Sequence, residues 1–362
     1  MVEKGTISRQ ENFATRKSTI DQHSEIIKGL DKFVGTKLDL LLPIDKIWQP
    51  SDVLPNLNSD GWQDELIEFR KQAENISDDL LIVLIGNTIT EEALPNYTNW
   101  FGRFSAVRDN TGTDESSWAK WSRGWTGEEN RHGEAMTALL RYSGRVDMRA
   151  VEKTIHYLLA TGFNPQIKED PYRALFYPTF QEPGTQISHR NTAKLARKQG
   201  SDYIYKTCGK TAGDEGRHAV FYGDIYGELF RIDPEGAVIA MRDMMRTGIS
   251  MPAALMTEDG SVSPKRQSDL FEIFSKASII SGVYSPNDYV SVFESLMKRY
   301  KVENILLSGE AAKAQDDLGR MLLIHQRVAE RNQPVQNTIK KYPWIYNRND
   351  KPTNAVTLFK SL

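Results

Sequence analysis

Two stretches of the sequence repeat one pattern, EENRH at residues 128–132 and DEGRH at residues 214–218. Each reads acid, glutamate, any residue, arginine, histidine, and each lies in a segment with the apolar spacing of an α-helix. Glu129 precedes His132 by three residues and Glu215 precedes His218 by three, so each pair projects from one helical face. A carboxylate and an imidazole placed in this way can bind one metal ion together.

The alternative is a pair of ordinary surface contacts between glutamate and histidine. One such pair would be weak support for a metal site, because glutamate is common. The chain has only six histidines, however, and two of them fall in the repeated pattern with a matching arginine and a preceding acid. The repetition therefore favours a site for metal ions.

Two further carboxylates lie in apolar segments, where an acid is costly unless it has a partner. Glu91 follows the apolar run at residues 80–85, and Glu182 has aromatic and aliphatic neighbours in YPTFQEPGTQIS. This order along the chain is that of a ferritin-like bundle with two iron or manganese ions, in which two helices give one glutamate and two give Glu-x-x-His. The ordered set is Glu91, Glu129, His132, Glu182, Glu215 and His218.

The composition restricts which residue types can hold a metal ion and which partners the protein can bind. The 362 residues include 46 basic and 48 acidic side chains, which give a formal net charge of −2, and one cysteine, Cys208. A single cysteine excludes an internal disulfide and a four-thiolate cluster within one chain, so metal ligands must come from His, Asp and Glu. The near-zero charge excludes a general polyanion binder, and we expect no nucleic acid as a partner.

The predicted fold class is all-α, a ferritin-like bundle of about ten helices, four of them long, with the metal centre in a four-helix core. Apolar residues recur at three- and four-residue spacing with almost no sustained alternation. Capping residues mark helix starts at Ser77, Asp233-Pro234 and Ser285-Pro286. No break is long enough for an interdomain linker, so we expect one domain over residues 1–362, with residues 1–19 and 346–362 peripheral or flexible.

No apolar run approaches the roughly 20 residues of a membrane-spanning helix, and the N-terminal residues lack the apolar core of a signal peptide. Glu3 and Glu11 argue against an acid-poor organelle presequence. We therefore expect no membrane span and a cytoplasmic protein, or a protein of the plastid stroma whose presequence has been removed.

Around the repeated pattern the sequence resembles the soluble acyl-[acyl-carrier-protein] desaturases of the plant stearoyl type, a ferritin-like di-iron family. The resemblance covers about residues 20–345. It implies an oxygen-dependent enzyme of fatty acid biosynthesis that introduces a cis double bond, at delta-9, into a saturated acyl chain. The similar segments, in family order, are TEEALPNY, WTGEENRHGEA, SGRVDMRAVEKTI, FQEPGTQISHRNTA, DEGRHAVFY, IDPEG and RTGISMPAALM.

The resemblance also implies a cofactor and partners. The six residues of the ordered set become ligands of two iron ions, which alternate between Fe²⁺ and Fe³⁺. Removal of hydrogen from an unactivated C–H bond needs an oxidant stronger than any side chain, so a redox-active metal must supply it and zinc is excluded. The implied partners are acyl carrier protein bearing the substrate, ferredoxin as electron donor, and a second copy of the chain in a homodimer.

Two residues outside the ligand set take family roles in the transfer of electrons. By resemblance, Asp214 holds the second ring nitrogen of His132, as metal-binding histidines commonly require, and Trp48 lies beyond it as an electron route. The alternative for Trp48 is an ordinary packed aromatic. From the internal repeat we further infer that Glu128 serves His218 in the same way.

A third family role falls on Thr185, three residues beyond Glu182, which would face the side of the irons where oxygen binds. The alternative is a hydroxyl bonded back to its own helix. The sequence departs from the family at Pro183-Gly184, where Arg-Ala is usual, and proline removes a helical hydrogen bond. We therefore expect a kink that affects Thr185. Pro95 is also found in the family. It has no N–H to donate to the carbonyl of Glu91, so we expect the helix to be distorted at that point.

The position of the substrate tunnel is argued from the helix that bears Glu91. Residues nine to thirteen further on would lie about 14–20 Å along the helix axis, near the methyl end of a long acyl chain. Here they include Trp100, Arg103 and Phe104, which are bulkier than an eighteen-carbon chain should allow. We predict a preference at or below sixteen carbons. The alternative is that these side chains point outward, Arg103 above all.

Other functions stay open from the sequence. One is a ferritin-like ferroxidase or iron-binding protein, although the chain is longer than such a protein needs. The others are a di-iron hydroxylase or N-oxygenase and a metal-free helical interaction protein. A deep apolar tunnel beside the metals would favour an acyl substrate. Because acyl carrier protein is acidic, its docking surface must be locally basic. The candidates are Lys46, Lys194, Arg197, Lys198, Lys265 and Arg266.

Overall fold

The computed structural model describes residues 17–261, 269–331 and 342–346. Within these ranges the chain is helical and contains no strand, apart from one isolated antiparallel bridge between Val146 and Ile345. The all-α prediction is therefore confirmed. The predictions for the two chain ends fall mostly on residues 1–16 and 347–362, which lie outside the described residues.

The helices vary widely in length, and none of those described is long and apolar enough to cross a bilayer. They exceed the predicted ten because short helices have no long apolar stripe to announce them. In chain order they are α1 (residues 17–29), α2 (Asp31–Gly35), α3 (Pro50–Val53), α4 (Trp62–Asn75), α5 (Asp78–Glu91), α6 (Leu94–Gly102), α7 (Ser117–Ser143), α8 (Met148–Thr161), α9 (Pro171–Lys198), α10 (Asp202–Ile232), α11 (Pro234–Thr247), α12 (Asp269–Ile280), α13 (Pro286–Arg299) and α14 (Gly309–Arg331).

Four helices, α5, α7, α9 and α10, form the centre of the molecule. Helices α9 and α10 pack along each other more extensively than any other pair, α7 contacts both α5 and α10, and α5 also contacts α9. Helices α11 and α13 cover α9, and α12 covers α5. The approach of α12 requires Gly86, because a Cβ there would lie 2.2 Å from the ring of Phe274.

The predicted helix starts are confirmed by their caps. The Ser77 side chain accepts a hydrogen bond from the amide of Leu80 at the start of α5, and Asp233 accepts one from the amide of Gly236 at the start of α11. A capping box with Ser285 begins α13. These caps satisfy amides that have no partner within the helix, which explains why they could be located from sequence.

The predicted distortion near Glu91 is confirmed. Helix α5 ends at Glu91, a turn follows, and α6 begins at Leu94 with Pro95 in its first turn. Because Pro95 has no N–H, the carbonyl of Glu91 cannot receive the hydrogen bond that would continue the helix. The chain therefore changes course directly after a candidate ligand.

Helix α9 behaves differently. It runs without interruption from Pro171 to Lys198, although Pro178 and Pro183 both lie inside it. The departure at Pro183-Gly184 therefore does not end the helix, and Thr185 stays within one turn of Glu182, on the same side of α9.

Candidate metal centre

The six predicted ligands meet in the four-helix centre and form two overlapping groups. Within each group the ligand atoms all lie within 4.8 Å of one another, and every residue is buried. Glu129 and Glu215 belong to both groups and so lie between the two positions. The first group is Glu91, Glu129, His132 and Glu215, and the second is Glu129, Glu182, Glu215 and His218.

The atoms that face the centre lack ordinary partners. Nδ1 of His218 lies 2.8 Å from Oε1 of Glu129, and Nδ1 of His132 lies 3.3 Å from Oε1 of Glu215. Among the described residues, however, neither Nδ1 atom has a hydrogen bond of acceptable geometry, nor has Oε1 of Glu129. Buried polar atoms are rarely left in this state. Two divalent cations would satisfy these atoms and balance the four carboxylates, so the residues fit a centre of two metal ions.

The outward nitrogens of both imidazoles bind carboxylates from the opposite helix. Nε2 of His132, on α7, donates to Oδ2 of Asp214, on α10, at 3.1 Å. Nε2 of His218, on α10, donates to Oε2 of Glu128, on α7, at 2.9 Å. The exchange is reciprocal, as the repeat predicted, and it leaves Nδ1 of each ring directed at the candidate metal positions.

Trp48 extends this arrangement toward the surface. Its Nε1 donates to Oδ2 of Asp214 at 2.8 Å, and its ring is stacked on that of His132 with centroids 6.1 Å apart. The guanidinium of Arg131 also lies over the Trp48 ring, 5.2 Å from its centroid. A continuous hydrogen-bonded line therefore joins Trp48 to a candidate metal ligand through Asp214.

Burial and the neighbouring charges shift the pKa values of the side chains in the cluster. Burial, followed by repulsion from Glu215, raises the pKa of Glu182 well above its usual value. Burial alone would lower the pKa of His132 and of His218, but the surrounding carboxylates raise the pKa of both rings. Because the raised pKa values favour the protonated forms of these groups, a cation that binds here would compete with protons.

Thr185 lies beside the cluster, and its hydroxyl is close both to a carboxylate of the cluster and to a carbonyl of its own helix, which was the predicted alternative. Oγ1 is 2.5 Å from Oε2 of Glu215, and it is also 3.0 Å from the carbonyl of Glu182 within its own helix. A hydroxyl has one hydrogen and can donate it fully to only one acceptor. The carboxylate is the stronger acceptor because it is charged.

His189 is a third imidazole at the cluster, and the sequence reasoning missed it. Nε2 of His189 donates to Oε1 of Glu91 at 2.8 Å. Burial lowers the pKa of His189, but the neighbouring side chains of Cys208 and Glu91 outweigh that effect and raise it to about 10. The available signal was its position seven residues after Glu182, because residues at this spacing share one face of a helix.

A cavity of about 520 Å³ reaches the cluster from one side, where Glu91 and Thr185 form part of its wall. Such a volume is typical of pockets for small organic ligands. A much smaller void of about 10 Å³ lies against the cluster itself and shares Thr90, Glu91 and Thr185 with the larger cavity. The apolar walls of the larger cavity include Phe180, Ile249, Met251, Phe271, Phe274, Ile279, Tyr284 and Tyr289.

The residues predicted for the tunnel lie elsewhere. Trp100 and Phe104 are buried, whereas Arg103 is exposed and donates to the carbonyl of Lys168. Trp100 and Arg103 border a separate surface cleft with Phe163, and none of the three lines the cavity at Glu91. Their predicted role in chain length stays a prediction, while the outward course of Arg103 agrees with the alternative named for it.

Comparisons with known proteins identify the family. Residues 22–346 match the sequence profile described as fatty acid desaturase. The chain is 44% identical over 334 residues to the chloroplastic stearoyl-[acyl-carrier-protein] 9-desaturase of Ricinus communis. The aligned region covers 91% of this chain and 83% of that protein. The enzyme of the same name from Simmondsia chinensis is 43% identical over 331 residues, with 90% and 82% covered. Because the match spans all four helices of the buried cluster, this chain belongs to the fatty acid desaturase family.

Proposed function

We propose that this enzyme is an acyl-[acyl-carrier-protein] desaturase, which uses O₂ to introduce a cis double bond, at delta-9, into a saturated acyl chain during fatty acid biosynthesis. The names of the relatives support the substrate class and the bond position. The observation that carries the proposal is the meeting of the six-residue cluster with an apolar cavity at Glu91 and Thr185. A ferroxidase has no need of such a cavity.

Two iron ions would be held by the two groups. Glu129 and Glu215, which belong to both groups, would contribute to holding both ions, and each group adds one further glutamate and one histidine. The bound iron pair supplies the oxidising power for C–H cleavage, which no side chain has. Carboxylate and imidazole ligands together suit iron.

The protein itself binds and orients the substrate. The apolar walls of the cavity would hold the acyl chain and exclude water from the reacting carbons. Thr185 stands where the cavity meets the cluster, and its hydroxyl hydrogen is directed at Glu215. We assign to Thr185 the task of holding a proton at this junction.

Electrons would enter on the opposite side. The line from Trp48 through Asp214 to His132 supports a route from a reduced ferredoxin, because each step is a direct hydrogen bond. Trp48 is only 6% exposed, so the donor would bind on the surface near it, where Lys46 is exposed two residues earlier in the chain.

The acidic acyl carrier protein requires a basic surface. Lys194, Arg197 and Lys198 lie exposed together in the last turns of α9, and Lys46 is exposed near Trp48. Lys265 and Arg266 lie outside the described residues. As in the family, we propose a homodimer. The names of the relatives support the plastid stroma as the location, with the cytoplasm as the alternative.

The direct test uses acyl carrier proteins loaded with C14, C16 and C18 chains, together with O₂, ferredoxin, its reductase and NADPH. We expect a product with one double bond, formed faster from the chains of sixteen carbons or fewer. Stearoyl conversion several-fold faster than palmitoyl conversion would refute the chain-length prediction alone. An alcohol product would indicate a hydroxylase, and iron oxidation with no altered acyl chain would indicate a ferroxidase.

A further inference from the structure

An arginine precedes each histidine of the repeated pattern, and the proposed function assigns no role to either arginine. These residues are Arg131 on α7 and Arg217 on α10. Both lie beside the carboxylates that hold the outward nitrogens of the two imidazoles. Their contacts differ, although their positions in the repeat are equivalent.

Arg217 binds both outer carboxylates at once. Its Nη2 donates to Oε2 of Glu128 at 2.8 Å and to Oδ1 of Asp214 at 2.6 Å. Its Nη1 donates to Oε1 of Glu128 at 3.2 Å and to the carbonyl of Leu40. Glu128 comes from the opposite helix and Asp214 from the same helix, one turn earlier, so this guanidinium joins α7 and α10 at the back of the cluster.

Arg131 binds only one of them. Its Nη2 donates to Oδ2 of Asp214 at 3.1 Å, and its Nη1 donates to the carbonyl of Gly127 at 3.4 Å. The rest of the guanidinium stacks over Trp48. Arg131 therefore binds Asp214, the carboxylate that holds His132. Within the described residues it forms no hydrogen bond with Glu128, the carboxylate that holds His218.

The carboxylates of Glu128 and Asp214 lie in a nearly solvent-free region. Their side chains are 1% and 4% exposed. Charged groups in such places keep a fixed orientation only when their oxygens are bonded. Oδ2 of Asp214 has three donors, Trp48, Arg131 and His132, whereas the donor recorded for Oδ1 is Arg217. Oε1 of Glu128 also accepts a hydrogen bond from the amide of Leu42 at 3.0 Å, but among these donors Arg217 alone binds both carboxylates and so fixes them relative to each other.

We propose that Arg217 is a positioning residue that couples the two halves of the metal centre. It holds Asp214 and Glu128 in one arrangement, so that both imidazoles keep their proton on Nε2 and present Nδ1 to the metal pair. Arg131 acts on the His132 half alone. This inference rests on the proposed metal centre, and its test separates the two.

The test compares Arg217→Gln with Arg131→Gln, its equivalent in the repeat, in full-length protein stripped of metal and titrated with Co²⁺. Loss of an outer hydrogen-bond partner usually costs about 10- to 100-fold in metal affinity. We expect wild-type protein to bind two Co²⁺ per chain, Arg217→Gln to weaken both sites by about that factor, and Arg131→Gln to weaken one. Arg217→Lys keeps the charge without the planar fork, and we expect it to lie between Arg217→Gln and wild type.

A second readout needs no metal. In metal-free protein labelled with ¹⁵N in the histidine rings, we expect Arg217→Gln to shift the Nε2 signals of both His132 and His218, and Arg131→Gln to shift that of His132 only. If Arg217→Gln does not fold, the Arg217→Lys variant should still shift both signals. Changes confined to one histidine, or equal effects of the Arg217 and Arg131 variants, would overturn the proposal. Wild-type protein that binds no Co²⁺ would count against the metal centre, and the ring signals would still decide the role of Arg217.

Discussion

His132 and His218 are each held by the first acid of the other repeat. Asp214 of DEGRH binds His132, and Glu128 of EENRH binds His218. The repeat predicted both Glu–x–x–His pairs and the Glu128–His218 contact, because residues three apart on a helix share a face. Sequence could not reveal that Arg217 reaches two carboxylates, since the direction of a long side chain across a helix interface depends on packing. His189 was missed because a lone histidine on an amphipathic helix is most often a core residue.

The Asp214→Asn substitution tests the electron route. An asparagine can still accept one hydrogen bond, but it is neutral and no longer polarises His132. We expect slower single-turnover reduction of the iron centre by ferredoxin, by about tenfold or more. Glu128→Gln is the matched control, because it makes the same change on the His218 side, away from Trp48. Equal reduction rates in both variants and wild type would remove Asp214 and Trp48 from the route.

The pH dependence of metal binding follows from the raised pKa of Glu182 and of the two histidines. Groups with raised pKa values keep their protons at a pH where they would ordinarily lose them, so a bound cation must expel protons. We expect proton release on addition of Co²⁺ to metal-free protein, and affinity that increases as the pH rises from 6 to 8. Calorimetry in buffers of different ionisation enthalpy measures this release. A pH-independent affinity would show that the cluster is not protonated before binding.

At the scale of helices, two prolines near the cluster have opposite consequences. Pro95 accompanies the end of α5 at Glu91, whereas Pro183 lies inside an unbroken α9. The prediction of a tunnel floor at Trp100 to Phe104 used the rise of one straight helix beyond Glu91. The turn at residues 92–93 changes the distance between Glu91 and these residues, and their role in chain length stays a prediction. A missing N–H is visible in a sequence, but whether a helix resumes in the same direction is decided by the helices packed around it.

Gly184 offers a test of the cavity. A Cβ there would lie 3.4 Å from the Tyr284 hydroxyl and 3.9 Å from Met251, which is ordinary contact, so Gly184→Ala should be tolerated. Gly184→Leu should fill space needed by the acyl chain and so weaken substrate binding. We expect a higher KM for acyl carrier protein substrate with unchanged iron content. Full activity of Gly184→Leu would place the substrate elsewhere.

At the scale of the whole molecule, the four central helices bring together residues that are 127 positions apart in the chain, from Glu91 to His218. Ligand order and composition were enough to predict this centre, because ligand chemistry restricts residue types and spacings. The helices after α10 were harder to place. The segment after α11 and helices α12 and α13 contribute walls of the cavity through ordinary apolar residues, and apolar residues do not indicate which surface they face.

Metal removal tests how the centre contributes to the stability of the whole bundle. A ligand that binds only the folded state stabilises it by about 2.7 kcal/mol at a concentration 100 times its Kd. We therefore expect chelation to lower the Tm by several degrees and to leave a folded protein, with protons in place of cations. Added Fe²⁺ or Co²⁺ should restore the Tm, whereas Ca²⁺, which prefers oxygen ligands alone, should not. An unchanged Tm after complete removal would mean that the metal contributes nothing to folding.

The central claim is that Glu91, Glu129, His132, Glu182, Glu215 and His218 hold a pair of iron ions. The most direct measurement is the iron content of purified full-length protein, combined with Mössbauer spectroscopy of ⁵⁷Fe-loaded samples. We expect about two irons per chain in one coupled centre, with loss of that coupling when Glu215, which is common to both groups, is replaced by alanine. A single iron per chain, two uncoupled irons, or none would contradict it.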